Sequence, residues 1–320
     1  MKPLYRNLLW VGILIGGVVV SKYAHELILM AIYFTKEYFY WPLLATFKKT
    51  IFTPQFYLFL GAILLIERLF PANKNQKILS TSFFQDIIWF FVESIGQAFI
   101  ISTYVAFLFN FYHQHLSFLT IQSTAQIPEW GRLIIGIVLL DFLYWLQHFI
   151  NHKVQWLWFF HSIHHSQKEV NVFTDFRYHT LEYVMRNTII SIPFYILGIK
   201  LPTLIYFIVF QMWFTRFYHG NIKTNLGWLR YILVTPQSHR VHHSIERRHQ
   251  DKNFGSILSI WDFIFGTQYR GYDEYPVTGI EDEHFPHETS KNIVNLIRTP
   301  LLQLIYPFRR IAKQVFKSKE

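Results

Sequence analysis

Residues 131–166 read GRLIIGIVLLDFLYWLQHFINHKVQWLWFFHSIHHS, and this stretch sets the fold. Its first twenty residues, Gly131 to Ile150, are almost entirely apolar, and about 20 such residues cross a bilayer core as a helix. The end of that helix carries HFINH, which places His148 and His152 at i and i+4 on one face. HSIHH follows, with His161 on the same face as His164 and His165 at i+3 and i+4. The spacing recurs in HRVHH, as His239, His242 and His243. Eight imidazoles are thus presented in three local clusters.

Composition narrows the chemistry. The 320 residues are 52% hydrophobic, 19% aromatic and 16% charged, with no cysteine, and mean hydropathy is +0.19. That profile argues against a soluble globular enzyme and against disorder. Without a thiol there is no disulfide scaffold, iron–sulfur cluster, thiolate-ligated haem or cysteine nucleophile, so any metal is held by nitrogen or oxygen. The net charge of +10 fits a nucleic-acid surface or the Lys/Arg excess of cytoplasmic membrane loops. The apolar content favours the second, and no nucleic-acid partner is expected.

Outward from the opening stretch, further spans are expected over Leu8–Phe34, Pro54–Phe70 and Phe84–Phe109. The first is interrupted by Lys22, His25 and Glu26; it reads as a retained anchor, since no small-x-small cleavage site follows Val20. Leu181–His219 is too long for one crossing, and Gly198, Lys200 and Pro202 predict the turn of a helical hairpin. Such a hairpin returns the chain to the side it left, so all three boxes face one compartment. Lys74 and Lys77, against a loop at 110–130 without Lys or Arg, and the basic residues after His219 make that side cytoplasmic. Lys48 and Lys49 fit this less well. The tail from Ile293 to Lys319 reads as a basic amphipathic helix interrupted near Pro300 and Pro307, lying on an anionic surface or packed like an ordinary helix. The expected fold class is all-α: a multi-pass helical membrane protein of four to six spans with a cytoplasmic helical cap carrying the boxes. Its regions are an anchor (1–53), transmembrane helices (54–130), a histidine-box catalytic region (131–270) and a cytoplasmic tail (271–320).

A lone histidine on an apolar helix is usually a satisfied core residue. Burying eight without a shared partner would cost about 1 to 3 kcal/mol each, a penalty that a metal removes. Imidazole suits Zn, Cu, Fe and Ni, and eight nitrogens exceed what one ion takes, so two ions are the simplest reading.

The ordered series of motifs from Asp141 to Thr267 resembles the fatty acid hydroxylase/sterol desaturase superfamily of membrane histidine-box, non-haem di-iron oxygenases. It comprises Asp141, the three boxes, FHSIHHS, RYHTLE (177–182), HGN from His219, TPQSHRVHHS (235–244), DKNFG (251–255) and WDFIFGT (261–267). The resemblance implies that the eight box histidines ligate two irons, with zinc as a possible substitute, that His219 is a further ligand and that His179 is a ligand or a neighbour of one. It implies that Asp141, Glu182, Asn253 and Asp262 orient imidazoles through hydrogen bonds or brace the fold, with no catalytic residue beyond the ligands. Phe149, Ser162 and Thr180 depart from the family's usual basic residue, Lys and Pro at those places. These changes spare every box histidine and bear on substrate and electron donor. His25, His113, His115, His249, His284 and His287 are expected in loops or at helix ends, solvated or at the membrane interface.

The implied reaction is O2-dependent hydroxylation or desaturation of an unactivated C–H bond in a lipid such as a sterol, acyl chain or ether lipid. No GxGxxG fingerprint is present, so the two electrons are expected in trans from a reductase, ferredoxin or cytochrome b5-like donor, with Arg240, Arg247 and Arg248 as a candidate docking patch. The site is expected on the cytoplasmic side of a bacterial inner membrane or the endoplasmic reticulum. The alternatives are a histidine-rich metal transporter or bis-imidazole haem protein, whose rings would sit deep in the spans, and a membrane zinc hydrolase, which HExxH would mark; that motif is absent.

Overall fold

A computed structural model describes residues 54–77, 79–96 and 102–317; the anchor expected at Leu8–Phe34, with Lys48 and Lys49, lies outside them. Among these residues are ten α-helices and no β-strand: α1 Pro54–Leu69, α2 Thr81–Gly96, α3 Ser102–Phe111, α4 Glu129–Lys153, α5 Gln155–His165, α6 Thr180–Ile196, α7 Ile205–His219, α8 Pro236–His242, α9 Ile260–Ile264 and α10 Ile293–Lys317. The all-helical expectation holds for them.

The long apolar stretch forms α4, with Glu129 in its first turn and Lys153 in its last, each sign of charge at the favourable pole of the helix dipole. Its first half exposes Leu133, Ile134, Ile135 and Val138, whereas Leu140, Asp141, Leu143, Trp145 and Asn151 in the second half are buried. The helix therefore passes from an apolar surroundings-facing end into a packed polar centre. Among the described residues α4 alone is long and apolar enough to cross a membrane. The other expected spans are shorter as helices, at 16 residues in α1, 17 in α6 and 15 in α7.

The turn expected within Leu181–His219 is present. Gly198 takes φ +61°, its N–H bonds the Tyr195 carbonyl and the Ile199 N–H bonds that of Phe194. This left-handed C-terminal cap closes α6. A 3₁₀ turn at Leu201–Leu204 then leads into α7. Gly136 lets that turn approach α4, because a Cβ there would lie 3.2 Å from both Leu204 methyls. Leu140, Leu143, Ile190, Phe194, Ile199 and Leu204 form the resulting core.

A second core, of Trp89, Phe159, Ile163, Phe285 and Tyr306, joins α2 and α5 to the C-terminal segment. Here α10 departs from expectation, running unbroken through Pro300 and Pro307. Pro300 has no N–H for the Leu296 carbonyl four residues back, and the Gln85 side-chain amide donates to that carbonyl instead at 2.9 Å. A tertiary partner thus offsets what Pro300 removes.

Arg177, fully buried, ties these layers together. It pairs with Asp86 of α2 at 2.6 Å, with Glu288 of the C-terminal segment, and donates to Ser166 Oγ just beyond α5 at 2.9 Å. Removing one partner of such a network leaves uncompensated buried charge. Arg177→Met should therefore destabilise the protein by about 3 to 5 kcal/mol, read as a lowered thermal midpoint in detergent, and adding Asp86→Asn and Glu288→Gln should recover part of the loss.

Candidate metal centre

Each box reaches the centre by a different local device. Box one rides the last turns of α4, and box two closes α5. Box three is set by a capping box on α8: Thr235 Oγ1 accepts the Ser238 N–H, Ser238 Oγ accepts the Thr235 N–H, and Pro236 occupies the first turn. His219 is the last residue of α7.

The nine rings sort into two adjacent clusters, His148, His152, His161, His165 and His242 in one, His164, His219, His239 and His243 in the other. Within each, one nitrogen per ring lies within 4.8 Å of all the rest. Each HxxHH box is divided between them. His161 and His165 go to the first cluster and His164 to the second, while His239 and His243 go to the second and His242 to the first. The His165 and His243 rings stack at 4.4 Å where the clusters meet.

Outward hydrogen bonds set the tautomers. The His148 and His242 Nδ1–H groups donate to the Phe254 and Lys252 carbonyls at 3.0 and 2.7 Å. His219 Nδ1–H donates to the Thr215 carbonyl at 2.7 Å, with Asp175 Oδ1 3.4 Å away. His161 Nδ1–H donates to Glu182 at 2.8 Å, and Asn151 holds the same carboxylate oxygen at 2.7 Å. A carbonyl or carboxylate only accepts, so each of these rings turns a bare Nε2 inward. The Nε2 atoms of His148 and His242 are buried without any hydrogen-bond partner. Elsewhere the inward atoms crowd together, with His239 to His219 at 2.8 Å, His243 to His239 at 3.0 Å, His219 to His164 and His152 to His165 at 3.1 Å, and His161 to His165 at 3.2 Å. The Nε2 atoms of His161 and His219 are fixed as lone pairs, so facing nitrogens that also lack hydrogen would repel them, and a cation between them would relieve that repulsion. Two nitrogens bound at right angles, each about 2.1 Å from one metal ion, stand about 3.0 Å apart, so the donor set fits two imidazole-bound ions.

Electrostatics favour the same occupant. Burial, then the field of His243, holds His164 and His165 well below the ordinary histidine range. Burial and His219 do the same for His239 and His243, and burial brings His242 down to about 3. These rings are neutral at physiological pH, the form in which imidazole can ligate a metal. Aromatic rings wall the centre: Tyr178 stacks on His164 at 4.5 Å, Trp158 lies 4.9 Å from His152, and Phe254 lies 5.0 Å from His152.

The residues expected around the ligands take distinct places. Glu182 touches a ring directly. Asp262 accepts from the Phe254 and Gly255 N–H groups, Trp145 Nε1 and Thr267 Oγ1, and so acts on His148 only through the Phe254 carbonyl. Asn253, at φ +59°, bridges the Ser238 carbonyl and the Tyr269 N–H. Asp141 braces α4 against residues 257–261, accepting from Ile257, Leu258 and Trp261.

His179 lies in neither cluster. Its Nδ1 accepts the Leu181 N–H and caps α6, while its Nε2–H donates to the Leu304 carbonyl of α10. His249 is buried rather than solvated, bonded to Ser244 Oγ and 3.4 Å from Glu274. Arg240 is buried too, its Nε–H donating to the Pro276 carbonyl, so it forms no part of a surface patch. Arg248 is paired with Glu246 and Glu274. Sequence reading missed Asn151, Asp175, Trp158 and Tyr178. Asn151 stands inside box one, yet only its contact with Glu182 across to α6 marks it.

Residues 133–267 match the family model described as fatty acid hydroxylase. The chain is 27% identical over 270 residues to an ornithine lipid hydroxylase of Rhizobium tropici, covering 82% of this chain and 74% of that one. It is 34% identical over 153 residues to the human alkylglycerol monooxygenase, covering 47% of this chain and 33% of that one. It is 22% identical over 220 residues to a very-long-chain aldehyde decarbonylase of Oryza sativa subsp. indica, covering 63% and 34% respectively. The match thus spans about a third of the length of the last two proteins. No solved structure matches the chain. The chain thus carries at 133–267 a region similar to fatty acid hydroxylases, and the relatives it resembles include a lipid hydroxylase and a monooxygenase by name.

Proposed function

We propose that the chain is an integral-membrane di-iron hydroxylase that uses O2 to oxidise an unactivated C–H bond of a membrane lipid. The observation that supports this reading is the convergence of nine imidazoles, seven of them buried and four with tautomers set from outside, on two adjacent points. A bis-imidazole haem uses two nitrogens, whereas these clusters offer five and four. Two irons held there would supply the reduction of dioxygen and the oxidation of the C–H bond; zinc would bind the same nitrogens without redox chemistry.

The chain's own residues hold, orient and shield. Glu182 and the Phe254, Lys252 and Thr215 carbonyls keep four rings in the ligating tautomer. Trp158, Tyr178 and Phe254 exclude water from the centre. The two electrons come from a separate reductase, ferredoxin or cytochrome b5-like protein. Hydroxylation is favoured over desaturation because the relatives include a lipid hydroxylase and a monooxygenase by name. The substrate class is a lipid with a long alkyl or acyl chain on a polar head, as in an ornithine lipid or a glycerol ether. Membrane placement rests on α4 and on the apolar side chains that α1 and α7 expose, among them Leu58, Leu65, Ile205 and Phe210. The lysine and arginine distribution supports a centre on the cytoplasmic side of a multi-pass protein.

Metal analysis of the protein purified after growth with iron should find about two irons per chain. His242→Ala should empty mainly the first position and His239→Ala the second, each abolishing turnover while the protein still inserts in membranes. His179→Ala should keep both ions; loss of iron from this variant, or normal turnover by either of the others, would refute the ligand assignment. Comparative lipidomics of cells with and without the gene should show one lipid class losing a species heavier by one oxygen. An unchanged oxidised-lipid profile despite an expressed, iron-loaded enzyme would count against the reaction.

A further inference from the structure

We infer that α10 is an in-plane membrane anchor whose basic flank seats the headgroups of anionic phospholipids, an inference that rests on the membrane placement proposed above. The helix has three distinct sides. Leu296, Thr299, Gln303 and Tyr306 are buried, and this side packs on α2 and α5, with Trp89 Nε1 donating to Gln303 at 2.8 Å. On the opposite side Val294, Ile297, Leu301, Ile305 and Phe308 are 45% to 64% exposed. Their spacing of three and four residues aligns them in one stripe. Arg298, Arg309 and Lys313 flank that stripe, and the helix contains no acidic residue.

A cleft of about 180 Å³ opens on the basic flank, lined by His284, Pro286, Tyr306, Arg309, Arg310 and Lys313 among others. Asp282, the carboxylate beside it, is already engaged: it accepts the Tyr306 hydroxyl at 2.5 Å and lies 3.5 Å from Arg310. Lys313 meets only the His284 ring, at 3.3 Å, and Arg309 pairs with no carboxylate among the described residues. Two cations are left for an anion from outside.

Location identifies the source of that anion. The His179 bond to Leu304 ties the middle of α10 to the N-terminal cap of α6, where the chain enters the hairpin. The stripe therefore lies at the base of the hairpin, at the depth of an interface. An anionic bilayer supplies acyl chains for the stripe and phosphates for the flank in one surface.

The chain has no cysteine, so Ile305→Cys accepts a single environment-sensitive fluorophore. The full-length labelled protein is reconstituted in phosphatidylcholine vesicles with and without phosphatidylglycerol, each carrying a nitroxide-labelled lipid. The emission should shift to the blue and be quenched, more strongly with phosphatidylglycerol. One basic residue at an anionic surface shifts partitioning about five-fold, so Arg309→Gln with Lys313→Gln should need several-fold more phosphatidylglycerol for equal quenching, at unchanged iron content. A label that stays in water in both vesicles, is shielded only by a second copy or an added acidic protein, or responds identically in the double variant would overturn the inference. Failure of the protein to enter vesicles at all would instead sink the membrane placement beneath it.

Discussion

Inward-facing lone pairs on buried imidazoles govern this molecule. A neutral histidine ring taken out of water must satisfy one N–H and one lone pair. At His148, His161, His219 and His242 the N–H is met by a carbonyl or carboxylate behind the ring. In front, the His148 and His242 lone pairs find no hydrogen-bond partner, and those of His161 and His219 face the Nε2 atoms of neighbouring rings. A bound metal pair would accept these lone pairs, and under the proposed occupancy binding and folding are linked, because lone pairs left without a partner in a buried centre are costly.

Much of the surrounding fold serves the groups behind the rings. The 252–254 backbone presents two carbonyls to two different boxes, and it does so from left-handed conformations at Asp251 and Asn253. Asp262 holds that turn by four donors, and Asp141 holds the next turn against α4. These carboxylates touch no imidazole, yet they position two of them. Such carboxylates support the centre without touching it.

Several readings of single residues changed once neighbours were in place. His179 carries the same side chain as the candidate ligands, but its ring faces α10 and completes a helix cap. Arg240 looks like surface charge between two box histidines; the turn at 276 takes its guanidinium inside. Pro300 reads as a helix break, and the Gln85 amide replaces the missing intrahelical donor. In each case the deciding partner lies at least 36 residues away in sequence.

What sequence alone determined was local: helices over the apolar stretches, the turn at Gly198, and the i, i+3, i+4 adjacency that gathers eight imidazoles into three groups. Those features follow from the 3.6-residue period and from backbone sterics, which act within a few residues. Which ring joins which ion is a different matter. The split of each HxxHH box between two clusters, the inclusion of His219, and the roles of Asn151 and Asp175 follow from how α4, α5, α7 and α8 pack. Metal ligation and hydrogen bonding act through space at about 2 to 3 Å, and only the tertiary structure brings those atoms within that range.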